Sequence, residues 1–308
     1  RVKCEAKTMP VSPDIERSML NGQELKSQKK REEWVLLGLS LPAIFVIALV
    51  VILPVGWLFY LSFVDGHGSF SLEHYQKMVE YKSYARVFIA TFKVSALTTL
   101  ICIVLGYPIA YFLAALPSRW SGIFMLAVLL PFWTSLLVRT YAWLVLLQRK
   151  GLLNDLAIQI GLWDSPVKLV HNMTGTLIGM AHIMLPFLVL PLYGAMKKIE
   201  PDMMQAASNL GASPVRAFGS IYLPLSISGL AAGSLIVFVL CLGFYVTPAV
   251  LGGGRVVMVA TQITAILEHQ FNWGAASALG VVLLLATVLV LYLAGRFFKF
   301  DTALFGKR

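Results

Sequence analysis

Charge is scarce in this chain. Only 13% of its 308 residues are Asp, Glu, Lys or Arg, against about 25% in ordinary soluble domains. Hydrophobic residues make up 58% and mean hydropathy is +0.78, which is more apolar surface than one globular core hides. Disorder is excluded by the same composition, because disordered chains are poor in aliphatic and aromatic side chains. Cysteine is nearly absent: Cys4, Cys102 and Cys241 lie far apart, two of them in apolar runs, which excludes a disulfide framework or a cysteine metal cluster. Acids are missing over long stretches, from Tyr81 to Asn154, from Ser165 to Ile199 and from Met203 to Leu267. There is no G-x-x-x-x-G-K-[ST] phosphate loop, no H-E-x-x-H and no G-x-S-x-G, so nucleotide binding of that kind and the common hydrolase chemistries have no support. The five histidines are scattered.

What is present is a series of long apolar runs, and a membrane-spanning helix needs about 20 such residues. Six runs qualify: Trp34–Phe63, Tyr84–Leu116, Ser121–Leu147, Thr174–Met196, Ile221–Val250 and Ala275–Phe298. Prolines and glycines inside them (Pro54, Pro108, Pro131, Pro186, Pro191, Gly243, Pro248) are compatible with spanning helices whose neighbours re-satisfy the backbone. Six spans put both termini on one side, and that side carries 16 of the 25 Lys and Arg residues. The positive-inside rule therefore places both termini in the cytoplasm. The net charge of +10 is thereby a topology signal, with no nucleic-acid partner expected. The predicted class is an all-α membrane protein: residues 1–33 form a polar cytoplasmic segment with a short interfacial helix before Trp34, residues 34–300 form the spans, and residues 301–308 a cytoplasmic tail. The first run is too long, and too far from a short basic start, to be a signal peptide. The opening residue is Arg1, so a processed or longer native N-terminus is expected.

One cytoplasmic loop, within residues 200–224, stands apart. Pro201 suits the first turn of a helix, and Asp202 suits the positive start of one. Met203 to Leu210 read as a short amphipathic helix stopped by Gly211. Ser213-Pro214 opens a second helix that runs toward Pro224. A small-residue helix lying on the membrane surface is built for close docking.

These residues carry a resemblance. Gln205-Ala206-Ala207, three residues, Gly211, nine residues, then Ile221-x-Leu223-Pro224 resembles the E-A-A-x3-G-x9-I-x-L-P signature of importer-type ABC permeases, with Gln205 in place of the first Glu. In that family the loop is the coupling helix, seated in a cleft of the ATPase subunit. Further segments, Leu129–Leu147, Gly151–Asn154, Leu185–Ile199, Gly243–Gly254 and Asn272–Ala276, look like the polyamine branch of that family, the first permease of spermidine/putrescine importers. The resemblance implies a type I (MetI-like) permease fold in a bacterial inner membrane. It implies four kinds of partner: a second homologous permease, two ATPase subunits, a periplasmic binding protein and the lipid bilayer. ATP and Mg would be bound by the ATPase partners, with no cofactor, metal or catalytic residue in this chain.

For the substrate path the candidates are Arg139, Trp133, Tyr141, Phe244 and Tyr245. An ionisable residue at membrane depth is a functional candidate by default, and aromatic faces can hold a cationic substrate at about 0.5–2 kcal/mol each. Lys93 is expected to snorkel, and His182 to be a hydrogen-bonded packing residue. The branch often has an acid after its aromatic pair, where this chain has Thr247-Pro248. The carboxylates for a polyamine would then come from the partner permease, or the substrate is a less cationic amine, amino acid-like or an opine. A self-contained secondary transporter is the alternative from another class; such folds often carry internal repeats, and no duplication is visible here.

Overall fold

The computed structural model describes residues 13–65 and 68–297, and all of its regular structure is helical. It divides into two units, residues 1–58 and 59–308. The first is essentially one helix, α1 (Pro13–Ser62), whose last residues belong to the second unit. The Glu-, Lys- and Gln-rich sequence after Pro13 favours helix. The helix expected before Trp34 is part of α1, which continues without interruption into the span Trp34–Ser62. Apolar side chains along it, Leu39 and Leu53 among them, are exposed, as befits a helix whose solvent is lipid. Residues 1–12 and the predicted tail 301–308 lie outside the described residues.

In the second unit α2 (Glu73–Glu80) leads into α3 (Lys82–Ala115), close to the bounds the sequence predicts. The third predicted span is not one helix. α4 (Ser118–Leu129) ends in a 3-10 turn at Leu130–Trp133, and α5 (Leu136–Leu146) leaves at 95° to it. Pro131 lacks the amide a continuing helix would need, and Thr134 is extended. The short helix α6 (Leu152–Gln159) follows, and then α7 (Met173–Met196), again as predicted.

After α7 come α8 (Pro201–Asn209), α9 (Pro214–Ala217), a π-helical turn at Phe218–Tyr222 and α10 (Leu223–Leu242). The fifth predicted span needs correction at both ends. The apolar helical stretch starts earlier, at Pro214, and stops at Leu242. Gly243 and Phe244 break it before α11 (Val246–Gly252) begins. The connection that follows contains a further helix, α12 (Val259–Gln270), which packs on α3 and on α13 (Trp273–Phe297). Val259 and Ile266 of α12 are buried with Val87, Ala276 and Leu279. Among the described residues, five helices are long and apolar enough to span a membrane, or six if the bent pair α4 and α5 counts as one.

α3, α7 and α10 pack around one another and hold the core. Met180, Met184, Leu188, Val189 and Leu192 of α7 are fully or almost fully buried. Close approach of α10 depends on small residues, the usual device where apolar burial gives no drive between helices. A Cβ on Gly229 would lie 2.8 Å from the Pro191 carbonyl oxygen, and one on Gly233 would lie 2.9 Å from that of Leu188. At the far end, the buried His74 of α2 places Nε2 3.1 Å from the carbonyl oxygen of Val64. A Cβ on Gly274, at the start of α13, would meet that imidazole and come within 3.0 Å of the same carbonyl.

Candidate functional site

The loop singled out by its spacing folds as a self-contained unit. Pro201 and Asp202 open α8. Its end closes through two bonds, Gly211 N–H to the Ser208 carbonyl (2.9 Å) and Ala212 N–H to the Ala207 carbonyl (3.0 Å). That pairing is the Schellman arrangement, which needs a left-handed residue just past the helix; Gly211 supplies it with φ +81°. Ser213 then caps α9, its Oγ accepting from the Arg216 amide at 3.4 Å. Gln205, Ala206 and Gly211 are exposed, whereas Ala207 is buried. Leu210 (89% exposed) and Val215 (83%) stand out on the free surface, which is unusual for aliphatic side chains in a polar loop. Ile221 is half-buried in the π-helical turn, and Leu223 and Pro224 are exposed at the start of α10.

The candidate path residues divide into two groups. Phe244 and Tyr245 occupy the break between α10 and α11, with the Phe244 amide still bonded to the Cys241 carbonyl at 3.2 Å. α11 lies against α5 and α7, and Thr140 Oγ1 meets Thr247 Oγ1 at 3.3 Å across the α5–α11 contact. The structure thus brings Arg139, beside Thr140, into the same neighbourhood as the aromatic pair. Phe244 and Leu136 pack on one core cluster. Tyr245 is 40% exposed and Tyr141 54%. Trp133 sits apart, in the turn between α4 and α5, and is largely exposed.

Arg139 is half-buried, and its Nε has no hydrogen-bond partner among the described residues. His182 faces Trp143 edge-on at 5.6 Å between ring centroids, and its Nδ1 is likewise buried without a partner. The imidazole therefore packs, but its Nδ1 lacks the hydrogen bond expected of it.

Two residues that the resemblance carried as motif, Asn154 and Gly274, hold connecting loops together. Asn154 is fully buried; its Nδ2 donates to the carbonyls of Gln148 (2.9 Å) and Val167 (3.1 Å), and its Oδ1 accepts from the Val167 amide (2.9 Å). Gly274 clears the seat of His74. Reading the sequence missed Asn172, which caps α7 by accepting from the Gly175 amide at 2.9 Å, although Asn before an apolar run is the standard helix-start signal. It also missed Thr91, whose Oγ1 accepts from the Val259 amide at 2.9 Å and pins the start of α12 to α3; that pairing spans most of the chain and has no local signature.

Comparison with known proteins agrees with this architecture. Residues 103–300 match the family model described as the binding-protein-dependent transport system inner membrane component. The spermidine/putrescine transport system permease protein PotB of Escherichia coli K12 is 31% identical over 225 residues, 72% of this chain and 82% of that protein. PotB of Haemophilus influenzae is 30% identical over 261 residues, 84% of this chain and 89% of its own length. In shape, the chain is similar to one in the crystal structure of a bacterial alginate ABC transporter in complex with alginate pentasaccharide-bound periplasmic protein. There the TM-score is 0.72 at 16% identity, over 87% of this chain and 95% of that one. A multi-pass helical chain of this fold, matched over most of its length, is a transport component and not an enzyme: it belongs to the family of binding-protein-dependent transport system inner membrane components, the permeases of ABC importers.

Proposed function

We propose that this permease carries polyamines such as spermidine and putrescine from a periplasmic binding protein across the bacterial cytoplasmic membrane, together with a second homologous permease and two ATPase subunits. The ATPases bind the ATP and Mg. The observation that carries the coupling part is the exposed, self-capped segment around Gln205, Ala206, Ala207 and Gly211, followed by Ile221, Leu223 and Pro224 at the entry to α10. Such a segment keeps its shape without help from the rest of the chain, so it can be pushed as a unit when an ATPase dimer closes. The permeases then switch between outward and inward openings, a two-state element biased by nucleotide bound elsewhere.

Support for a polyamine comes from the two PotB relatives and from aromatic faces at Trp133, Tyr141, Phe244 and Tyr245, which suit a cation where acids are absent. The half-buried Arg139 with its unpartnered Nε favours a second reading, a less cationic amine or an amino acid-like substrate, because a guanidinium on the path repels a polycation. Purification from native membranes, then uptake in proteoliposomes, separates these readings. The expected result is co-recovery of an ATPase, a second permease and a binding protein, with ATP-dependent uptake of labelled spermidine or putrescine. ATP-dependent uptake of a zwitterionic amine alone moves the substrate to the second reading. Recovery of the chain alone after crosslinking, with uptake independent of ATP, overturns the importer.

A further inference from the structure

Between the coupling segment and the membrane core lies a ladder of four aromatic rings. Two come from α3, Tyr107 and Tyr111, one helical turn apart; two come from the π-helical turn, Phe218 and Tyr222, with the same spacing. Phe218 and Tyr222 stack at 5.6 Å and 15°. The tyrosines of α3 meet them edge-on: Tyr107 to Phe218 at 6.2 Å and 83°, Tyr111 to Phe218 at 5.5 Å and 89°, Tyr111 to Tyr222 at 5.1 Å and 85°. Edge-to-face pairs are directional, so this arrangement fixes angle as well as distance. Tyr107 Oη and Ser226 Oγ lie 2.9 Å apart, which ties the ladder to the first turn of α10. Tyr107 and Tyr222 also pack on the cluster of Ala110, Leu113 and Leu192 in α3 and α7.

Both backbones are soft at the ladder. On α3, Pro108 sits between the two tyrosines and removes one helical hydrogen bond. On the other side, the Leu223 amide bonds five residues back, to the Phe218 carbonyl; π turns of this kind are rare and cluster at functional sites. A groove of about 420 Å³, lined by Tyr107, Pro108, Tyr111, Pro214, Val215 and Phe218, leaves the rings free volume on the side of the coupling segment. Rigid units stand to either side of the ladder: the self-capped α8–α9 segment and the packed bundle of α3, α7 and α10.

We infer that Phe218 is the positioning residue of transport, the ring through which displacement of the coupling segment is passed to α3. This rests on the coupling role proposed for Gln205–Gly211. Movement of α9 carries Phe218 with it, because the two are consecutive in one helical stretch. The ring presses on Tyr107 and Tyr111 at the point where Pro108 lets α3 bend. The nine residues between Gly211 and Ile221 in the loop signature then have a physical meaning: they are the length needed to bring a capped helix and one π turn to face α3.

The test is the ratio of substrate moved to ATP hydrolysed, measured in the complete reconstituted transporter. Phe218→Ala and Tyr111→Ala should each lower that ratio about tenfold, a usual size for a coupling effect, while ATP hydrolysis stays near wild type. Tyr111→Phe, which keeps the ring, should restore it. The double variant Phe218→Ala/Tyr111→Ala should be no worse than either single one, because two residues in one relay do not add. Phe218→Leu preserves apolar bulk and serves if the alanine variant fails to assemble; it should still lose coupling. A wild-type ratio in Phe218→Leu, or additive losses in the double variant, overturns the inference while leaving the importer reading intact. A wild-type complex that hydrolyses no ATP would instead sink the coupling role itself.

Discussion

The chain stops a helix in two quite different ways, at the coupling segment and at the break between α10 and α11. In the coupling segment every stop is closed by atoms a few residues away: Gly211 and Ala212 bond back into α8, and Ser213 caps α9. At Gly243–Tyr245 the amides of Gly243 and Phe244 share the Cys241 carbonyl and no side chain caps either helix end, and the short α11 keeps its place by lying on α5 and α7. Water can reach the first site, so local caps suffice to satisfy its backbone. Irregular backbone at membrane depth survives only where neighbouring helices cover it. The first is therefore a part that can move without unfolding anything, and the second is a part that cannot be disturbed alone.

That contrast can be broken by mutation. The largest effect is expected at Gly179 of α7, where a Cβ would lie 2.8 Å from Thr247 Cγ2 and press on Leu251. Gly179→Val should destabilise the whole chain by about 2 kcal/mol or more, in the range of overpacked cores, and thermal unfolding in detergent should show a clearly lowered midpoint. An unchanged midpoint would mean that α11 shifts freely, and the contrast would fail. Gly211→Ala comes next: a non-glycine residue at φ +81° costs about 1 kcal/mol, but only within the loop. Uptake should fall while the unfolding midpoint stays put, and Gly211→Asn, which tolerates this conformation better, should recover part of it. Gly211→Asp adds charge on the exposed face and should uncouple ATP hydrolysis from uptake; wild-type stimulation of hydrolysis in that variant would misplace the docking face. Thr247→Val removes the contact with Thr140, which also bonds the Leu136 carbonyl, so about 1 kcal/mol is the ceiling. Ser213→Ala, losing a long cap bond in an exposed loop, should be smallest, about 0.5 kcal/mol, visible in coupling but not in melting.

The same contrast explains what could be read from the sequence. Pro201, Asp202, Gly211 and Ser213 announce the coupling segment because capping is local chemistry, and α3 and α7 fall within two residues of their predicted bounds. The turn at Pro131 and the break at Gly243 sit in runs as apolar as any span. Proline and glycine occur in spanning helices without breaking them, so neither residue decides the matter. What decides it is burial under a neighbour, which no short window shows. α12 was hidden for the opposite reason. Its exposed side carries polar residues that dilute the run, while the stripe of Val259 and Ile266 that makes it a helix is visible only against α3 and α13. The ladder at Phe218 was concealed within the nine unspecified positions of a motif that could itself be recognised.

The seat of His74 on Gly274 has a bearing on how the molecule is made. The two residues are 200 positions apart in the chain, and synthesis runs from the first to the second. When α2 emerges, its imidazole has the Val64 carbonyl but no floor beneath it, and it keeps this half-built state while four further apolar stretches enter the membrane. Only the arrival of α13 completes the seat.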